Sequence, residues 1–226
     1  MAHQAKTVVA PYFHDIEQQR QANTLGMWTF LTTEVMFFGG LFVAYAAYNL
    51  AYPTAFSEAS RELDLVLAAI NTVVLLCSSL TMALAVHAAQ TDKKKALITF
   101  LLLTIVLGTV FLGIKAVEYG EKGVDFGIQL VETKHYLIPG PNFEFKEALR
   151  QPAQIFFSLY FATTGLHALH MIIGIGILLY FVYKARNDHF SSINYDPVEM
   201  IGLYWHFVDI AWVFIFPLYY LIDRLP

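Results

Sequence analysis

The chain is poor in charge and nearly free of cysteine. Lysine, arginine, aspartate and glutamate make up 14% of its 226 residues, against about a quarter in an ordinary soluble domain. That deficit excludes a conventional water-facing surface and points to lipid as the solvent. The single cysteine, Cys77, lies in an apolar run, which excludes a disulfide framework and a cysteine metal cluster and reads as a small packing residue. A basic excess is missing too: the formal net charge is −4, so no nucleic-acid partner is expected. The first 24 residues are polar and lack the apolar core of a secretory signal, an expectation that leaves insertion to the first membrane helix. No internal repeat, low-complexity tract or soluble domain stands out.

What is present is apolar length: 57% of residues are hydrophobic and the mean hydropathy is +0.53. A spanning helix takes about 20 mostly apolar residues, and five segments qualify: Leu25–Ala51, Leu63–Ala89, Ala96–Tyr119, Pro152–Tyr183 and Val198–Ile222. The expected fold is all-α, a polytopic membrane bundle of about five transmembrane helices in one domain over 25–222. A polar amino-terminal segment (1–24) and a short tail (223–226) flank it. The long loop 120–151 carries Pro139-Gly140-Pro141, a turn signal, and is long enough for a hairpin or helix of its own. The connections Tyr52–Glu62, Gln90–Lys95 and Lys184–Pro197 are short. Gly40 and Ala44, four apart, favour close helix approach. Trp28, Tyr45, Tyr48, Tyr52, Trp212, Tyr219 and Tyr220 read as an interfacial aromatic belt. His3, His14, His87, His135 and His189, in polar segments or at helix ends, read as solvated. Lysines and arginines divide evenly between the two sides, and only the cluster Lys93-Lys94-Lys95 leans towards an amino terminus inside.

Ionisable residues inside the apolar runs are the candidate site, because a charge at membrane depth costs at least ~2.5–3.5 kcal/mol on insertion scales. Glu34 sits in Thr32-Thr33-Glu34-Val35-Met36-Phe37; His167 and His170 share the fourth helix, and His206 and Asp209 the fifth. Residues three apart share a helix face. At ~1.5 Å rise per residue, Glu34, His170 and His206 fall in one layer, in the half of the membrane nearer the amino terminus. Three readings fit this layer: interhelical polar glue, a proton-handling site, or metal or haem ligation, for which no matching ligand set is visible. Lys115 and Glu118, three apart at the end of the third helix, read as a helix-end pair. Asn71 is expected to bond a neighbouring helix.

Four segments, in order on four helices, resemble subunit III of the haem-copper terminal oxidases. They are Thr33-Glu34-Val35-Met36-Phe37-Phe38-Gly39-Gly40-Leu41-Phe42, Lys115-Ala116-Val117-Glu118-Tyr119, Gly165-Leu166-His167-Ala168-Leu169-His170-Met171-Ile172-Ile173-Gly174 and Tyr204-Trp205-His206-Phe207-Val208-Asp209. The resemblance runs from about Thr24 to Ile222 and matches the last five helices of a family that commonly has seven. It departs from the shorter forms in the loop 120–151.

The resemblance implies a non-redox subunit of an aa3-type cytochrome c oxidase in a bacterial cell membrane, amino terminus cytoplasmic and carboxyl terminus outside. Oxidase subunits I and II would be its partners, within an oxygen-reducing, proton-translocating complex, and a larger respiratory supercomplex is a further expectation. Haem a and copper would reside in those partners and none in this chain. Structural phospholipid is also expected, in a cleft that lacks the family's first two helices. The family's counterpart of Glu34 is a buried, carbodiimide-reactive carboxylate that supports proton uptake and turnover stability, and His170 is its expected partner. Alternatives are subunit III of a quinol oxidase, the accessory subunit of a nitric oxide reductase, or a purely structural assembly subunit. A stand-alone proton-coupled transporter would call for inverted repeats and broken helices, and the sequence displays neither.

Overall fold

The computed structural model describes residues 12–121, 150–192 and 194–221. Most of the expected loop 120–151, the extreme amino terminus and the tail 223–226 lie outside the described residues. Six helices occur among them: α1 Ile16–Ala51, α2 Pro53–Arg61, α3 Leu65–Gln90, α4 Lys94–Glu121, α5 Arg150–Arg186 and α6 Asp196–Tyr220. All but α2 are long and apolar enough to cross a membrane. The protein is therefore an all-α, multi-pass membrane bundle.

Two differences from the sequence reading have local causes. Helix α1 begins nine residues before Leu25, because Asp15 caps it: its Oδ1 accepts from the Gln18 amide at 2.7 Å while Gln18 Oε1 accepts from the His14 amide at 2.8 Å. The connection Tyr52–Glu62 is helical. Pro53 supplies the first turn, and Ala55, Phe56, Ala59 and Ser60 form one buried face. That face packs α2 against α5, with Phe56 edge-on to Phe156 at 5.3 Å, and Ser60 Oγ donates to Tyr219 O at 2.9 Å.

Helix α6 is the centre of the bundle; half of its membrane window is buried, against 17% for α1. It packs on α3, α5 and α1, while α4 packs on α3 and α5. Trp205 of α6 is fully buried and fills the space left by two glycines, Gly108 of α4 and Gly174 of α5, while its Nε1 donates to Ser78 Oγ of α3 at 3.0 Å. A Cβ at Gly174 would lie 2.9 Å from Trp205 Cζ3 and 3.1 Å from Tyr204 Cε1. Both are rigid, buried rings, so Gly174→Ala is expected to destabilise by ~1–3 kcal/mol. Gly176→Ala, which meets nothing within 4 Å, is the control. The thermal midpoint of the detergent-solubilised protein measures both; equal midpoints would show that the rings yield.

The turns on the amino-terminal side are pinned together. Asp92 and Asp188 adopt positive φ, a conformation aspartate tolerates. Asp92 Oδ1 accepts from the Ser192 amide at 2.6 Å, and Lys94 Nζ pairs with Asp188 at 2.7 Å and donates to Arg186 O at 2.8 Å. The Ser192 contacts hold the Asp92 carboxyl below its usual range.

Several expected surface residues are core. Tyr45, Trp212, Tyr219 and Tyr220 are fully buried, leaving Trp28, Tyr48 and Tyr52 as the exposed members of the expected belt. Tyr45 is held by Phe56, Phe156 and Tyr219, so burial against rings, not a headgroup layer, sets its place. Cys77 is exposed on α3 instead of packed, and a Cβ at Gly40 would meet nothing, so the Gly40/Ala44 seam is not used within the chain among the described residues. His14, His87 and His189 are exposed, and Asn71 Nδ2 donates to Phe111 O across the α3–α4 interface at 3.4 Å.

Candidate proton-bearing site

Glu34 of α1 and His170 of α5 meet in the membrane interior. Glu34 Oε2 lies 3.2 Å from His170 Nε2, and their side chains are 18% and 12% exposed. Phe38, one turn along α1, packs on the His170 ring at 5.7 Å and on Phe207 at 6.2 Å. Tyr204 donates its hydroxyl to His170 O at 2.9 Å. The other ring nitrogen of His170, Nδ1, lies 2.9 Å from Leu166 O; a carbonyl only accepts, so Nδ1 carries a hydrogen. The contact between Glu34 and Nε2 then needs one further proton, on the carboxyl as a neutral pair or on the imidazole as an ion pair. The pair therefore holds one proton that either partner can carry, and this is the chemistry the geometry offers. It borders an apolar groove of about 610 Å³ between α1, α5 and α6, lined by Met27, Phe30, Ile177, Met200 and Tyr204 among others.

The expected polar layer is not one cluster. His167 is fully buried on another side of α5, its Nε2–H donating to Val208 O at 3.1 Å and its ring held between Phe111 and Trp212 at 5.3 and 5.2 Å. His206 turns to α3, with Nδ1 2.8 Å from Ser79 Oγ. Asp209 is buried beside Ser79, and neither of its oxygens meets a hydrogen-bond donor among the described residues. Of the four residues expected beside Glu34, His170 reaches it. The three-residue spacing put His167 with His170, but three residues turn a helix by ~300°, short of a full circle, and at a three-way packing site that offset sends two neighbours to different helices. No three His, Cys, Asp or Glu side chains cluster as a metal site among the described residues, and the three intramembrane imidazoles have the carbonyl, carboxyl and hydroxyl contacts just described.

The expected helix-end pair is the core of a larger network. Lys115 Nζ lies 2.8 Å from Glu118 Oε2, with the two side chains only 4% and 2% exposed. Tyr160 of α5 and Tyr220 of α6 donate to Glu118 Oε1 at 2.8 and 2.6 Å, and Lys115 donates to both hydroxyls at 3.0 Å. The ammonium also lies over the Trp212 ring, 4.9 Å from its centroid. Both charges are satisfied from three helices, the condition under which a buried pair is tolerated. The sequence reading missed Tyr160 entirely and took Tyr220 for a belt residue; the available signal was a lysine and a glutamate inside an apolar helix, which call for polar partners on its neighbours.

A five-span helix bundle with a carboxyl–imidazole contact and a carboxylate–ammonium pair among its interior polar groups defines a class: an integral, multi-pass membrane protein. Comparison with known proteins gives the family. The model for cytochrome c oxidase subunit III matches residues 12–140 and 136–223, and the chain belongs to that family, a subunit III of the haem-copper terminal oxidases. Among similar proteins are cytochrome c oxidase subunit 3 of Alkalihalophilus pseudofirmus, 32% identical over 87% of this chain and 85% of that one, and its namesake from Thermostichus vulcanus, 29% identical over 88% and 87%. A probable quinol oxidase subunit 3 of Staphylococcus haemolyticus is 27% identical over 91% of both chains.

Proposed function

We propose that this chain is the non-redox subunit III of an aa3-type cytochrome c oxidase, and that its Glu34–His170 pair supports proton uptake and turnover stability of the catalytic subunit. The observation that carries this reading is the 3.2 Å contact, which brings a carboxyl and an imidazole together at membrane depth beside an apolar groove. Subunits I and II are the partners, holding haem a and copper, and a larger respiratory supercomplex extends the assembly. The amino terminus lies in the cytoplasm, on the side of the Lys93–Lys95 cluster and the pinned turns, so that Glu34 and His170 face the proton-uptake side; the carboxyl terminus lies outside. A phospholipid acyl chain occupies the groove beside His170, whose apolar lining and open side suit it.

Replacing Glu34 with Ala tests the reading in the purified complex. The haem spectrum is expected to be unchanged, while proton uptake slows and oxygen consumption decays several-fold sooner over repeated turnovers. An unchanged time course with unchanged uptake would overturn the role. The electron donor is read separately: the complex is expected to oxidise reduced cytochrome c, and a complex that accepts only quinol would move the chain to the quinol-oxidising branch without touching the role of Glu34.

A further inference from the structure

Besides Glu34 and Glu118, the bundle contains a third intramembrane carboxyl, which neither of their pairs uses. Asp209 of α6 is 3% exposed, and its two oxygens find no donor among the described residues. The polar side chain beside it is Ser79 of α3, whose hydroxyl is 2.8 Å from His206 Nδ1. His206 and Ser79 are half-buried, on a face where Leu76, Leu80, Ile210 and Val213 are exposed. Among the described residues no ion pair reaches Asp209. On α3, Thr72 and Ser78 are engaged by Trp212 and Trp205. On α5, His167 has its Nε2–H on Val208 O; on α4, Lys115 is committed to Glu118, Tyr160 and Tyr220; on α1, Phe38 covers Phe207, and Glu34 is paired with His170.

We propose that Asp209, Ser79 and His206 form a second proton-holding chain, in which the neutral Asp209 carboxyl turns to donate to Ser79 Oγ and Ser79 donates in turn to His206 Nδ1. The direction of the chain follows from satisfaction. An ionised Asp209 would need several donors, and the one hydroxyl beside it is engaged by His206 Nδ1, whereas the neutral acid needs a single acceptor for its hydrogen. With Ser79 donating, Nδ1 is an acceptor and the neutral His206 carries its hydrogen on Nε2. The chain also shifts its proton: Asp209 passes its proton to Ser79 as Ser79 passes its own to Nδ1, leaving one carboxylate, one neutral serine and one imidazolium. This site lies between α3 and α6, away from the α1–α5 contact of Glu34, and does not depend on the electron donor.

Infrared spectroscopy of the purified complex in water and deuterium oxide tests it. The wild type is expected to show at neutral pH a carboxylic-acid C=O band that Asp209→Asn removes and that Ser79→Ala moves to higher frequency. The hydrogen-to-deuterium shift of that band is expected to slow by an order of magnitude or more in His206→Phe. If Asp209→Asn fails to assemble, the Ser79→Ala displacement and nitrogen-15 NMR of the His206 tautomer decide. Loss of carboxylate bands in Asp209→Asn, an acid band unmoved by Ser79→Ala, or a hydrogen on His206 Nδ1 would overturn the chain; an unchanged exchange rate in His206→Phe would overturn the transfer.

Discussion

Lys115→Met is expected to cost about 3–5 kcal/mol of stability, the loss that follows when one member of a buried ion pair is removed and the other stays. Glu118 would keep the Tyr160 and Tyr220 hydroxyls on Oε1, at 2.8 and 2.6 Å, but Oε2 would lose its ammonium at 2.8 Å. Water cannot substitute readily, since Lys115 and Glu118 are 3% and 1% exposed and Trp212, Tyr119, Tyr160 and Tyr220 crowd the ammonium. The double variant Lys115→Met/Glu118→Leu removes both charges and leaves Tyr160 and Tyr220 hydrogen-bonded to each other at 2.8 Å. It is therefore expected to be more stable than the single variant, because replacing a whole buried pair by apolar groups is often neutral while breaking it is not. Thermal midpoints of the solubilised protein compare the two; a single variant as stable as the double would show that the pair is not charge-coupled.

The five spans were legible because lipid imposes a length on any apolar run that no tertiary contact can override. Leu63–Ala89 as read and Leu65–Gln90 as folded differ by two residues at most. What was not legible was set by polar local chemistry outside the slab. The cap at Asp15 carries α1 well beyond its apolar part, and the Pro53 turn makes a helix of a segment whose length suggested a loop.

The candidate site was legible in composition and not in azimuth. Burial cost alone picked out Glu34, and counting residues from helix ends gave His170 as a neighbour at matching depth. The same count also selected His206, and the three-residue spacing added His167 and Asp209, because neither depth nor spacing says which way a helix is rotated. Rotation is decided by packing: Trp205 against Gly108 and Gly174 orients α6, and that sends His206 to Ser79 and the Val208 carbonyl to His167. Tyr160 escaped notice, and Tyr220 was read as a belt residue, for a related reason. A tyrosine near a membrane boundary suits both a headgroup layer and a buried carboxylate, and only its neighbours distinguish them.

That orienting role makes Trp205 the other position of large effect. Trp205→Ala is expected to cost about 3–5 kcal/mol, the range for truncating a fully buried large aromatic side chain, because α3, α4 and α5 all lose contacts at once and the Ser78 hydroxyl loses its 3.0 Å donor. Trp205→Phe keeps an aromatic ring, so its expected loss is smaller. The two glycines provide a sharper test. Gly174 is small because the six-membered ring of Trp205 occupies the space its Cβ would take, at 2.9 Å from Cζ3 and 3.1 Å from Cε3. Gly174→Ala should accordingly destabilise the wild-type chain more than it destabilises the Trp205→Phe chain, a positive coupling between neighbours that distant sites do not show. Thermal midpoints of the wild type, Gly174→Ala, Trp205→Phe, their double variant and Trp205→Ala, with the Asp209 infrared band recorded alongside, read both consequences. If Trp205 sets the rotation of α6, Trp205→Ala displaces the Asp209 band, which depends on α6 facing α3, as well as lowering the midpoint. Additive losses with an unmoved band would mean that the ring fills space without orienting the helix.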